Sequence, residues 1–131
     1  MILDSSAIVS VIRGELGHER IVSCLAREPD VRVGAPTLVE TAMVLTGRLG
    51  RVGGLALDRL IREKRIDVLS FSDAHWRVAN TAFIRFGKGR HPAKLNLGDC
   101  FTYAVARVAG EPLLCVGDDF SQTDLELVSL D

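Results

Sequence analysis

Aromatic residues are scarce, at 5% of 131 residues, so the core must be filled with aliphatic side chains. Cysteine is scarcer still. Cys24, Cys100 and Cys115 are odd in number, far apart and without a Cys-x-x-Cys, which excludes a disulfide framework and a zinc knuckle and suits a reducing cytosol. An excess of charge of either sign is also missing: 16 basic side chains stand against 17 acidic ones, so no global field announces nucleic acid or a membrane surface. No uncharged run is long enough to span a bilayer. No basic segment followed by an apolar one opens the chain, since Asp4 interrupts the only candidate. The expectation is a cytoplasmic protein without a membrane partner. No repeat, low-complexity tract or linker divides the chain, so residues 1–131 read as a single domain, one able to bury roughly two-thirds of its unfolded surface.

What is present begins with Met1-Ile2-Leu3-Asp4-Ser5-Ser6-Ala7. Ile2 and Leu3 are apolar on both faces, as a buried parallel strand requires. Asp4 ends that strand, and Ser5 and Ser6 can cap a helix carrying Ala7, Ile8, Val11 and Ile12 at helical spacing. A carboxylate at the carboxyl end of a central strand stands where open α/β sheets bind ligands. The plainer alternative is that Asp4 is itself a helix cap.

Strands and helices then alternate. A helix is expected over His18–Glu28, a strand over 31–34, and a helix over Thr37–Leu49 with Pro36 at its first position. Gly47, Gly50, Gly53 and Gly54 interrupt the pattern, and Leu55–Lys64 resumes it. A strand at 66–71, a helix over 74–86 capped by Ser72-Asp73, a helix from Gly98-Asp99 to Gly110 and a strand at 112–116 follow. Residues 128–130 can add an edge strand. Trp76 reads as a core anchor. This order implies a mostly parallel central sheet with helices on both faces.

Parallel strands carry their carboxyl ends along one edge, and the helices that follow them start there. Asp4 and Asp118 follow apolar strands, while Glu40 and Asp99 sit early in helices, so four carboxylates are directed to one crevice. Glu40 projects among Pro36, Thr37, Met43 and Val44, an apolar setting that is costly for an unpaired acid. Arg13 or Arg48 could pair with it. Two carboxylates 4 Å apart repel by about 4 kcal/mol at an effective dielectric near 20, so convergence calls for a cation. Oxygen-only ligands select Mg²⁺ or Mn²⁺, and two such ions suit hydrolysis of a phosphodiester. The loop 87–96 contributes Lys88, Arg90 and Lys94, which read either as a solvated connection or as contacts for an anionic backbone.

These residues carry a resemblance. Ile2-Leu3-Asp4-Ser5-Ser6-Ala7 resembles the opening Asp-Thr-Ser-Ala motif of PIN-domain ribonucleases, and Thr37-Leu38-Val39-Glu40 their second motif. Leu95-Asn96-Leu97-Gly98-Asp99-Cys100 resembles the third, and Pro112-Leu113-Leu114 through Gly117-Asp118-Asp119-Phe120 the last. The likeness covers nearly the whole chain and is greatest to the VapC toxins of type II toxin–antitoxin pairs. It implies a PIN-like three-layer α/β sandwich and a Mg²⁺- or Mn²⁺-dependent endoribonuclease. Asp4, Glu40, Asp99 and Asp118 would be the metal-holding, catalytic acids, with Ser6 as an assisting hydroxyl. It also implies an RNA substrate held by Lys88, Arg90 and Lys94, a homodimer, and a VapB-like antitoxin. Cys115 and Gly117 stand where the last motif usually has threonine and an acid or amide, which leaves Asp118 or Asp119 to supply the fourth carboxylate. Asp119 beside Phe120 matches the family's structural pair, so Asp118 is the reading taken. The altered motif keeps open a catalytically weak module that binds RNA or a partner. An aspartyl-phosphate enzyme or receiver is disfavoured, because position 6 is serine and the third strand offers no acceptor acid.

Overall fold

The computed structural model describes residues 1–130. Four parallel strands are ordered β3-β2-β1-β4: β1 is Ile2–Leu3, β2 Arg32–Gly34, β3 Asp67–Leu69 and β4 Leu113–Leu114. The helices are α1 (Ser5–Arg13), α2 (His18–Arg27), α3 (Ala35–Leu49), α4 (Arg51–Glu63), α5 (Asp73–Phe86) and α6 (Leu97–Ala109). In register, Ile2 lies beside Leu113 and Leu3 beside Leu114.

The alternation of side chains along so short a strand sorts two cores. Leu3, Val33 and Leu114 pack with Ala7, Ile8, Ile21, Leu25, Leu45 and Leu57 from α1–α4. Ile2 and Leu113 point the other way, into a core with Ala82, Phe86, Tyr103 and Val105 from α5 and α6. The sheet is thus the middle of three layers, which is the sandwich expected from the sequence. The two central strands, β1 and β2, are cut short by the helices that start just after them, α1 at Ser5 and α3 at Ala35.

Three local expectations are corrected. Gly47 lies inside α3, and Gly53 and Gly54 inside α4, which begins at Arg51; of the four, only Gly50, at φ 67°, breaks the helical run. Gly53 is small because a Cβ there would collide with the main chain of Leu45, so the glycine permits α3 and α4 to touch. The edge strand at 128–130 is reduced to an isolated parallel bridge between Leu113 and Leu127, supported by Val128 N–H donating to the Leu113 carbonyl at 2.8 Å. Trp76 is not in the core: it is 50% exposed, its indole N–H donates to Asp73 at 2.9 Å, and the Arg77 guanidinium lies over its ring. It sits on the first turn of α5, where Asp73, the first residue of the helix, gives its indole a partner at the surface. The three cysteines are free, with Cys24 and Cys100 buried. Among the described residues, no helix is long and apolar enough to cross a membrane.

Candidate active site

Asp4 follows β1 directly and is both things the sequence allowed: it caps α1, and it sits at the sheet's carboxyl edge. Its backbone is extended and its side chain accepts from Ser6 N–H. Only 5% of it is exposed. One carboxylate oxygen accepts from Ser6 N–H at 3.2 Å and Ser6 Oγ at 2.6 Å; the other accepts from Thr102 Oγ at 2.9 Å. Ser6 Oγ in turn accepts from Val116 N–H at 2.9 Å, which ties the end of β4 to the start of α1. The assisting hydroxyl expected at Ser6 therefore holds Asp4 in place.

Glu40 is half-buried on the second turn of α3. Burial and the nearby charge of Asp4 raise its pKa, against a hydrogen bond from the Ser5 side chain that lowers it. Arg13, one of its conceivable partners, pairs instead with Glu15 at 2.9 Å. The Glu40 carboxylate rests against Gly98 at the start of α6, so closely that a Cβ on Gly98 would collide with it. Asp99 is the next residue. It closes a capping box in which Asp99 N–H donates to the Asn96 side chain at 2.9 Å and Asn96 N–H to Asp99 at 3.1 Å. Burial pushes its pKa up to about 6, with added repulsion from Asp4, Asp119 and Glu40.

The electrostatics thus join Asp4, Glu40, Asp99 and Asp119. Cys115 reports the same field: burial, Asp4, Asp119 and Asp99 push its thiol up to about 12. Asp118 is absent from both sets of charges, and its main-chain carbonyl accepts from Ser121 N–H at 3.2 Å and Ser121 Oγ at 2.8 Å. The turn is made by Gly117, whose φ of 92° lies in the region glycine favours. Phe120, the next residue after Asp119, is buried as a structural partner should be. The fourth acid assigned by sequence was Asp118. The electrostatic neighbour is Asp119.

Among the described residues, no three His, Cys, Asp or Glu side chains converge into a ready-made metal cage. The donor set nevertheless fits a hard divalent cation: oxygen ligands only, mutually repelling, with none of the four in an ion pair to Lys or Arg among the described residues. Lys88, Arg90 and Lys94 are exposed on the loop that leads into α6. That loop is closed by Lys88 N–H to Leu95 O and Leu95 N–H to Phe86 O, both 3.0 Å, and the Arg90 guanidinium lies over Phe83. His91 is turned inward, edge-on to Phe86, with its Nδ1 accepting from Ala93 N–H at 3.1 Å. The sequence reads Ser5 only as a helix cap and motif member, and gives Thr37 and Thr102 no role of their own at the site. Their signal is weak: a hydroxyl next to one acid, or three positions from another on the same helix.

Known proteins add a second line. The profile described as PIN domain matches residues 1–126. Ribonuclease VapC36 of Mycobacterium tuberculosis is 46% identical over 127 residues, covering 96% of this chain and 91% of that protein. Among solved structures, Mycobacterium tuberculosis VapC20, described as a sarcin-ricin loop cleaving toxin, superposes with a TM-score of 0.80 at 21% identity, covering 97% of both chains. VapBC2 from Rickettsia felis, bound to a DNA fragment from its promoter, gives 0.76 at 12% identity, covering 98% of this chain and 96% of that one.

Proposed function

The chain belongs to the PIN-domain family, and on that premise we propose that it is the RNA-cleaving toxin of a toxin–antitoxin pair, a Mg²⁺- or Mn²⁺-dependent endoribonuclease. The observation that carries this reading is the coupling of Asp4, Glu40, Asp99 and Asp119 at one sheet edge with no cationic side chain among them. The relatives' names supply the substrate class.

Asp4, Glu40 and Asp99 would hold the metal, with Asp119 taking the place first given to Asp118 as the fourth acid. When bound, the metal supplies Lewis-acid polarisation of the phosphodiester and activation of a water. Ser6 and Thr102 keep the Asp4 carboxylate fixed from behind. The Ser5 side chain favours the charged form of Glu40. Lys88, Arg90 and Lys94 steady the RNA backbone by charge, positioning the strand without reading its sequence.

Beside the acids lies a hollow of about 410 Å³ lined by Pro36, Val39, Glu40, Met43, Leu97 and Phe101. Val39, Met43 and Leu97 are 54%, 70% and 71% exposed. Contiguous exposed apolar surface marks an interaction site, and here it supports an antitoxin that covers the acids while burying its own apolar residues. A homodimer is part of the same proposal, by likeness to the family.

The function is tested by incubating antitoxin-free, folded protein with total cellular RNA in Mg²⁺, in Mn²⁺ and in chelator. Discrete fragments only in the metal lanes are expected. Intact RNA in every lane, together with retained RNA binding, would favour the binding module that the Cys115 and Gly117 departures leave open.

A further inference from the structure

Asp4 is held by one residue that is far from it in sequence and belongs to none of the acid motifs. Thr102 is buried on α6, with 1% exposed, and its Oγ donates to Asp4 Oδ1 at 2.9 Å. A threonine hydroxyl has one hydrogen. Because that hydrogen is engaged at Asp4, the 3.1 Å contact between Thr102 Oγ and Thr37 Oγ must have Thr37 as its donor. The two contacts therefore form a directed chain, from Thr37 to Thr102 to Asp4. Thr37 is likewise 1% exposed, so neither hydroxyl reaches bulk solvent.

The placement of the two threonines is the informative feature. Thr37 lies three residues before Glu40 on α3, and Thr102 three residues after Asp99 on α6. Residues three apart on a helix share a face. Each acid-bearing helix thus presents an acid and a hydroxyl on the same side, and the hydroxyls meet beneath Asp4. The geometry points to Thr102 and Thr37 as positioning residues: a buried hydroxyl chain locks β1, α3 and α6 together, setting the spacing of Asp4, Glu40 and Asp99 for one divalent cation.

This rests on the function proposed above, and it adds the residues that preorganise the acids. Groups behind metal ligands commonly change metal affinity by 10- to 100-fold when removed. An apolar residue of the same shape at position 102 leaves Asp4 Oδ1 without its donor and Thr37 without its acceptor, at a place shielded from bulk solvent.

The test is Mn²⁺ binding to the RNA-free protein, followed by electron paramagnetic resonance or calorimetry, for wild type, Thr102→Val, Thr102→Ser, Thr37→Val and Asp99→Asn. Thermal unfolding establishes that each variant is folded. Thr102→Val is expected to raise the Mn²⁺ dissociation constant about 10-fold or more, and Thr102→Ser to restore it to within about threefold of wild type. Thr37→Val, which leaves Asp4 its donors but frees Thr102 to rotate, is expected to weaken binding by about threefold. In cleavage assays at saturating Mn²⁺, Thr102→Val should lower kcat and leave KM for RNA near wild type. Wild-type Mn²⁺ affinity in Thr102→Val overturns the inference. Should Thr102→Val not fold, wild-type affinity in Thr37→Val does so. Asp99→Asn separates the two levels. If it too binds Mn²⁺ like wild type, the acids do not hold the metal and the proposed function loses its site; if it alone loses binding, only the hydroxyl chain is wrong.

Discussion

The Tyr103 phenol donates a 2.6 Å hydrogen bond to Asp124, joining α6 to the segment that runs beside β4. Asp124 also accepts from Arg107 at 2.7 Å and Arg85 at 3.3 Å, so one carboxylate fastens α5, α6 and the chain's last segment. Tyr103 is buried and its pKa is pushed up to about 12 by burial and by Asp124, which keeps the donor hydrogen in place. Tyr103→Phe should therefore cost about 1–2 kcal/mol in stability, as expected for a hydrogen bond to a charged acceptor, and urea unfolding measures it. Burial alone would raise the pKa of Asp124, but Tyr103, Arg107 and Arg85 outweigh it and hold the pKa below the ordinary value. That stability is present above the unfolded carboxylate's pKa and is lost as pH falls through the folded one, so the cost of Tyr103→Phe should shrink in acid.

Asp99 has the opposite sign. Its folded pKa of about 6 lies above its ordinary value, so its contribution to stability is full below the unfolded pKa and is lost as pH rises through about 6. In chelator, Asp99→Asn should melt at a higher temperature than wild type at pH 7, with the difference narrowing at pH 5. Adding Mn²⁺ at pH 7 should stabilise wild type and leave Asp99→Asn nearly unmoved. Melting curves at the two pH values, with and without metal, check both statements.

Gly98→Ala separates folding from activity. Alanine is favoured over glycine within a helix by about 1 kcal/mol, yet the new Cβ would collide with the Glu40 carboxylate. The colliding atoms are the end of a flexible side chain, so Glu40 can swing away at little cost to the fold. Stability by thermal unfolding should stay within about 1 kcal/mol of wild type, while the cleavage rate falls about 10-fold or more through the displaced ligand.

The basic loop makes a prediction about salt. Replacing Lys88, Arg90 and Lys94 by alanine should weaken RNA binding across sequences and flatten the slope of log affinity against log salt by about 2, close to 0.7 per single-strand phosphate contact. Fluorescence anisotropy with an uncleaved RNA, using protein disabled at Asp4, measures the slope. An unchanged slope would return the loop to a solvated connection.

Much of this was legible because periodicity and strand-end position are local properties. Ile2 and Leu3 alternate between two cores, Pro36 starts a helix, and Asp4, Glu40 and Asp99 fall at one sheet edge once the strands are parallel. The glycines at 53 and 54 misled because a glycine in a helix can serve a close approach as well as a break, and only the neighbouring Leu45 distinguishes the two. Trp76 misled because its indole N–H finds Asp73 on the same turn, at the surface. Sequence alone does not choose between Asp118 and Asp119, since adjacent acids differ only in where a left-handed turn at Gly117 aims them. Thr37 and Thr102 lie 65 positions apart, a separation at which no spacing rule connects two hydroxyls.

The most direct measurement is the rate at which folded Asp4→Asn cleaves RNA in Mn²⁺, beside wild type purified in the same way. The substitution keeps the side chain's size and puts an amide where the acid faces Glu40 and Asp99. Loss of cleavage by about 100-fold or more, with the melting temperature retained, is the expected result. Cleavage at the wild-type rate would contradict the account at its centre, because the acids at the sheet edge would then not be where the chemistry occurs.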